Sequence, residues 1–302
     1  MRTASLWLLL LAACGTRSPD PERTGDIAWH EGRWFDAVTA YRAAGNSPRL
    51  LGKYADAAFL AGQRLEAVRA WTELGTTAPD RAGEAAAGLA RAAQGAERAG
   101  EPLVLARAVL GLRKLAPSWP LGRMALRLAL VSDLPADEAV QVLPVALAAV
   151  SGRSAADSVL LALGLAQHKR GTCIEAVPVL ESVLRRSEQA DSARATAMSF
   201  LADCELTLGL SALNDDRVGD AERWLDRSAR RDPAGVVGRR ALIGFGDARL
   251  RQGDPFSATL AWQTVASARV APDSITILAL QRLRIAESAD TTVHPVAVPD
   301  RP

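Results

Sequence analysis

Apolar residues along the chain fall into one short unbroken block and then a long series at helical spacing. The block runs from Leu6 to Ala13 behind a single positive charge, Arg2. Eight residues of helix extend ~12 Å, well short of the ~30 Å hydrocarbon core of a bilayer. The block therefore predicts the hydrophobic region of a signal peptide over residues 1–13 and not a membrane span. Residues 14–26 are polar and rich in Gly, Pro, Thr and charge, which predicts a flexible tether. Past residue 26 the apolar positions return with the period of amphipathic helices. No later apolar stretch reaches the ~18 residues that a span needs. The periodic region is predicted to cover 27–286. Residues 287–302 hold three prolines and Asp290-Thr291-Thr292, and predict a mobile tail.

The periodic region is self-similar. Glu31-Gly32-Arg33-Trp34-Phe35-Asp36-Ala37-Val38 matches Ala61-Gly62-Gln63-Arg64-Leu65-Glu66-Ala67-Val68 and Arg170-Gly171-Thr172-Cys173-Ile174-Glu175-Ala176-Val177, with a further copy at Gln252-Gly253-Asp254-Pro255-Phe256-Ser257-Ala258-Thr259. Each has a Gly, then a large apolar residue and an Ala. About four residues on comes a bulky apolar side chain: Tyr41, Trp71, Leu180, Trp262. Seven residues before the Gly sits a small one: Ala55, Gly164, Gly246. A Pro follows the Ala in several copies: Pro48, Pro79, Pro233. Weaker copies centre on Ala106, Ala139 and Ala221, the last with Gly209 and Trp224.

This pattern resembles the tetratricopeptide repeat, a helix–turn–helix unit. The small residue lets helix A approach helix B. The Gly ends helix A where a positive φ is required, and the Pro ends helix B and sets the next entry. The resemblance implies an all-α, right-handed superhelical solenoid of antiparallel helix pairs, about seven pairs plus a C-terminal capping helix. Marker alanines are 30 to 45 residues apart, so helix lengths must vary. Helix B of the fifth copy is expected over Cys173 to Arg186, with Pro178 inside it and Thr172 and Glu175 as a capping box. Pro144 falls inside another predicted helix B. A long helix is expected to start near Asp191 or Ser192. Asp273-Ser274 followed by Ile275, Leu278 and Ile285 reads as the capping helix.

Composition sharpens this picture. Lys+Arg is 36 and Asp+Glu 34, a balance that fits poorly with binding nucleic acid by counterion release. All but three of the basic residues (Lys53, Lys114, Lys169) are arginine, and Ala, Leu and Arg favour helix. His30, His168 and His294 form no zincin motif, and no P-loop, G-x-S-x-G or C-x-x-C occurs. Gly244-Phe245-Gly246 is a fragment of a dinucleotide pattern, better explained by close helix packing. No enzyme activity, metal or cofactor is expected. The pairs Arg185-Arg186, Arg230-Arg231 and Arg239-Arg240 read as charges near helix ends, complementing the helix dipole. Trp71, Trp224 and Trp262 are expected in the core. Trp29, Trp34 and Trp119 are expected to be partly exposed.

Two features bear on compartment. Leu11-Ala12-Ala13-Cys14 resembles the bacterial lipobox, which implies cleavage before Cys14 and a lipid thioether on it. Gly15, in place of Asp, then implies sorting to the outer membrane in a diderm bacterium. Cys173 and Cys204 lie thirteen residues back from the end and forward from the start of two expected antiparallel helices. They read either as a disulfide, which an exported protein allows, or as two small buried thiols.

The repeat resemblance also implies where a partner binds, since helix A lines the concave groove. By repeat position this offers Trp29 and His30, Arg49, Asp56 and Phe59, Leu161, Leu165, His168 and Lys169, and Arg240, Ile243, Asp247 and Arg251. A carboxylate clamp of the chaperone-binding members is not expected, because His168 and Leu250 stand where polar amides belong. The expected function is a lipid-anchored scaffold that binds other envelope proteins at the periplasmic face of the outer membrane. It is similar in architecture to the lipoprotein subunit of the outer-membrane β-barrel assembly machinery and to envelope division coordinators. The alternatives are a peptidoglycan-, glycan- or small-ligand-binding protein, or an envelope enzyme with an unrecognised site.

Overall fold

The computed structural model describes residues 20–129, 134–186, 192–268 and 273–291. Cys14 and the expected signal peptide lie outside the described residues, as do 292–302 of the expected tail. Among the described residues there are fifteen α-helices, one short 3₁₀ turn at Pro79–Arg81 and no strand. They form two compact units that divide after Met124.

In the first unit α1 (Pro21–His30) pairs with α2 (Trp34–Ala44), α3 (Pro48–Leu60) with α4 (Arg64–Thr77), and α5 (Ala82–Ala99) with α6 (Pro102–Leu115). The short helix α7 (Arg123–Ala129) spans the boundary residues. In the second unit α8 (Ala136–Ala149) precedes α9 (Arg153–Lys169) with α10 (Cys173–Arg186), α11 (Ser192–Asn214) with α12 (Val218–Arg231), and α13 (Val236–Arg251) with α14 (Pro255–Ala266). The last helix, α15 (Ser274–Thr291), packs on α14 and α13. Within each unit successive helices pack together, α1 through α6 in the first and α8 through α15 in the second, and helices two apart also touch: α4 on α6, α9 on α11, α11 on α13. That is the contact pattern of stacked helix pairs, in agreement with the expected all-α solenoid.

The turns inside the pairs explain why the chain folds this way locally. Gly32, Gly62, Gly171 and Gly253 all have φ between 72° and 79°. Each donates its amide to the carbonyl three residues back, and the next residue donates five back, as in Arg33 N to Ala28 O at 2.9 Å. This is the Schellman helix stop, and an L side chain resists its left-handed residue. In the sixth copy Asp216 (φ 57°) fills the same place, and Arg217 N reaches Ala212 O at 2.8 Å. The missing Gly made that copy hard to recognise from sequence.

The marker alanines Ala37, Ala67, Ala106, Ala176, Ala221 and Ala258 are fully buried and Ala139 nearly so. The small residue of helix A meets the bulky one of helix B. A Cβ on Gly25 would fall 2.6 Å from the Tyr41 ring, and one on Gly246 2.4 Å from Trp262 Nε1. In the sixth copy this bulky position is Leu225, fully buried and 2.5 Å from a Cβ on Gly209. Trp224, one place earlier, packs against the edge of the core around Leu180 and Cys204 instead of filling this position. It is half-buried beneath the Arg227 guanidinium, 4.9 Å from its ring centre.

Several boundaries differ from expectation. The stretch expected as tether to residue 26 is helical from Pro21. Asp20 accepts from Glu22 N, Pro21 starts the helix, and Glu22 is anchored by Arg49 and Lys53 of α3. At the other end α15 continues to Thr291. Its inner side carries Ile275, Ala279, Leu283 and Ala286, whereas Leu278 and Ile285 are exposed along with Ile277 and Leu280. Both α8 and α10 run on through Pro144 and Pro178. Thr172 Oγ1 donates to Gln167 O at 3.1 Å instead of capping α10 through Glu175.

Cys173 and Cys204 form a disulfide between α10 and α11, with a Cα–Cα separation of 5.0 Å. Beside it, fully buried Glu205 takes Arg231 (2.6 Å) and Arg227 (2.7 Å), and both arginines also reach Glu181. This four-group network ties α10, α11 and α12 together.

Candidate partner-binding grooves

In the first unit the helix-A residues of the first two pairs converge. Trp29 and His30 of α1, with Arg49 and Asp56 of α3, border a cavity of about 420 Å³. The repeat register did not select the rest of its wall: Tyr41, Gly52, Lys53, Arg81 and Glu84. Trp29 is held edge-on against Trp34, ring centres 5.1 Å apart.

The charges of this cavity are matched in pairs. Lys53 Nζ lies 2.9 Å from Glu22 and 2.6 Å from Asp26, and Asp26 also accepts from Tyr41 Oη at 2.8 Å. The Lys53 hydrogen bond holds the Asp26 carboxyl below its ordinary range, and the same bond raises Lys53. Burial and the neighbouring Asp26 push the Tyr41 phenol far up. Asp56 goes the other way: burial raises its carboxyl, although Arg91 at 2.9 Å pulls it down. Arg81 grips Glu84 and reaches the Pro48 carbonyl across Gly52. A Cβ on Gly52 would lie 2.7 Å from Arg81 Nη2, so a larger residue there would displace the guanidinium. Arg81 and Glu84, three apart at the start of a helix, were the available sequence signal, but the third copy was too weak to place them.

Phe59 lies outside that wall and packs on Trp71, ring centres 5.7 Å apart. On α9, Leu161 packs against the disulfide cluster and Leu165 is half-buried. His168 Nε2 meets Asp203 Oδ2 at 2.7 Å, its ring stands edge-on to Phe200, and Nδ1 is buried without a partner. Lys169 is exposed.

The second unit brings three further predicted residues together. Arg240, Ile243 and Asp247 of α13 border a trough of about 530 Å³ with Leu210 of α11 and Ile275 and Leu278 of α15. Ile243, expected on the open face, is 4% exposed and belongs mainly to the core under Trp262 and Ile275. Arg251 turns away from the trough and donates to Leu213 O at 2.7 Å. The pair Arg239-Arg240 sits in the first turns of α13 and not at a helix C-terminus. Arg239 is buried and makes a two-pronged pair with Asp273, at 3.1 and 2.6 Å.

Among the described residues no group of three or more His, Cys, Asp or Glu is placed to hold a metal ion, and no helix is long and apolar enough to cross a membrane. No protein-family model and no curated protein matches the sequence. Several solved structures do. The C-terminal part of a tetratricopeptide-repeat-containing protein from Cytophaga hutchinsonii is 13% identical over 86% of this chain and 98% of that one, with a TM-score of 0.36. The TPR2AB domain of yeast Sti1 in its pHSP90 complex is 12% identical over 88% and 97%, TM-score 0.29. A tetratricopeptide repeat protein from Parabacteroides merdae is 13% identical over 88% and 97%, TM-score 0.27.

Proposed function

We propose that this protein is an exported, lipid-anchored scaffold of the bacterial cell envelope. It faces the periplasm from the outer membrane and holds other proteins in the inner grooves of its helix pairs. One observation carries the reading. In each unit, taken alone, residues that the repeat register assigns to the inner face line a solvent-open cavity: Trp29, His30, Arg49 and Asp56 in one, Arg240 and Asp247 in the other. The charges of the first wall are held in internal ion pairs and the second wall is mostly apolar, which favours binding. The disulfide supports the compartment, because such bonds persist outside the reducing cytosol. It joins the signal-like block and the lipobox-like Leu11-Ala12-Ala13-Cys14 in pointing to export. A role in outer-membrane protein assembly is the specific form that the architectural resemblance suggests.

A second reading, a small polar ligand or glycan in the first unit, is favoured by the convergence of His30, Arg49, Lys53, Asp56, Arg81 and Glu84 on one cavity. The test uses the full-length protein in a diderm host, with a photo-crosslinking residue at His30 in the groove or at exposed Ala43 on α2. The scaffold reading expects envelope-protein adducts from position 30 and few from 43. Equal capture at both, or at neither, overturns it. Retained peptidoglycan fragments without protein adducts would favour the second reading.

A further inference from the structure

The two cavities differ in chemistry, and the difference assigns a ligand class to the second. In the first unit the cations have carboxylate partners: Arg49 with Glu22, Lys53 with Glu22 and Asp26, Arg81 with Glu84. In the trough of the second unit the walls are mostly apolar. Val236 is 56% exposed and Leu278 36%, over a floor of Leu210, Ile243 and Ile275. The polar groups around it are already neutralised with one exception. Asp247 is held two-pronged by Arg282, at 2.9 and 3.1 Å, and Arg239 by Asp273. Arg240 is exposed and has no acidic partner among the described residues. A guanidinium at the rim of an apolar trough leaves one uncompensated positive charge. A carboxylate matches it in sign and in fork geometry.

We infer that the α11–α13–α15 trough binds an apolar peptide segment that carries a carboxylate. Leu-, Val- or Phe-type side chains fill the trough, and the carboxylate rests on Arg240. The inference rests on the scaffold reading and specifies the partner chemistry at this one groove. The apolar strip also continues past the trough. Ile285 lies seven residues, two helical turns, beyond Leu278 on α15 and is 61% exposed. A segment longer than the trough therefore has apolar surface to follow.

Because the apolar strip runs on beyond the trough, the segment is an internal one and the carboxylate is that of an Asp or Glu side chain; a free polypeptide C-terminus is the source the probes test against. Three peptides are titrated calorimetrically into the full-length protein: Gly-Leu-Phe-Val-Leu with a free C-terminus, Gly-Leu-Asp-Val-Leu amide, and Gly-Leu-Phe-Val-Leu amide. The Asp-containing amide is expected to bind about fivefold or more tighter than the neutral amide, and a preference for the free C-terminus alone overturns the side-chain source. Arg240→Gln should abolish the preference. So should Val236→Glu, which sets an acid one turn before Arg240 in the first turn of α13, where a negative charge is tolerated. Arg98→Gln, at an exposed arginine of α5 that borders neither cavity, should leave it unchanged. Equal affinity for all three peptides, absence of binding by any, or a preference that survives Arg240→Gln overturns the inference. Crosslinked partners at position 30 alongside any of these results would leave the scaffold reading standing.

Discussion

Gly246 and Asp216 show how single residues set the repeat. Gly246 lies on the face of α13 against α14, where Trp262 fills the space a Cβ would take and donates Nε1–H to Ile243 O at 3.2 Å. Gly246→Ala gains up to ~1 kcal/mol of helix propensity but overpacks the contact, at a cost of roughly 1–3 kcal/mol. A net loss is expected, read as a lower urea midpoint. An unchanged or raised midpoint would mean that the ring moves aside freely. Asp216 presents the opposite case. Its left-handed backbone is disfavoured for an L residue, and its ion pair with Arg251, at 3.6 Å, is too exposed to contribute much. Asp216→Gly should stabilise the protein by up to ~1 kcal/mol. A midpoint that falls would assign Asp216 a role beyond the turn.

Helices are joined to one another by a few long-range contacts, and two of these respond to solution conditions. Asp273 caps α15 through Thr276 N at 2.9 Å and receives the buried Arg239. The Arg239 hydrogen bonds, then the Thr276 amide, hold its carboxyl far below the usual carboxylate range. A carboxylate lowered on folding contributes stability that is complete above its unfolded value of about 3.9 and fades as pH falls towards the folded value. The urea midpoint of the native protein should therefore drop more steeply between about pH 4 and pH 2 than that of Asp273→Asn. Parallel profiles would show that α15 is held without this pair. The disulfide responds to reductant instead. It closes a loop of sequence separation 31, worth about 3–4 kcal/mol in the chain-entropy model. Reduction should lower the stability of the unit containing α10 and α11 by that order. Cys173→Ser with Cys204→Ser should match the reduced protein.

Over the whole molecule, function depends on where the protein resides and on which grooves stay open. Among the described residues, six helix pairs together with α7, α8 and α15 present inner surfaces of two kinds: a polar cavity whose charges are paired internally, and an apolar trough with the exposed Arg240 at its rim. On the proposed scaffold reading, such surfaces suit two different segments of partner. Anchoring is tested separately from binding. If Cys14 carries the lipid, Cys14→Ala should move the exported protein from the membrane to the soluble fraction. Mass spectrometry of the native protein should then find a lipid on an N-terminal Cys14. Retention of the variant on membranes, or an unmodified Cys14, would remove the anchor from the proposal.

The repeat itself was legible in the sequence because it is made of local contacts. The left-handed turn residue, usually Gly, the marker Ala and the bulky residue four places on are fixed by short-range geometry. They recur in sequence wherever a helix pair recurs. The boundaries at Pro21 and Thr291 were less legible. Glu22 is held by Lys53 and Arg49, and α15 by Arg239, all roughly thirty residues away. The clearest case is the pair Arg239-Arg240, two identical residues side by side. One is buried against Asp273 and the other is exposed at the rim of an apolar trough. Each residue advances a helix by about 100°, so neighbours face different surroundings. Which of the two met the core was decided only when α15 packed against α13.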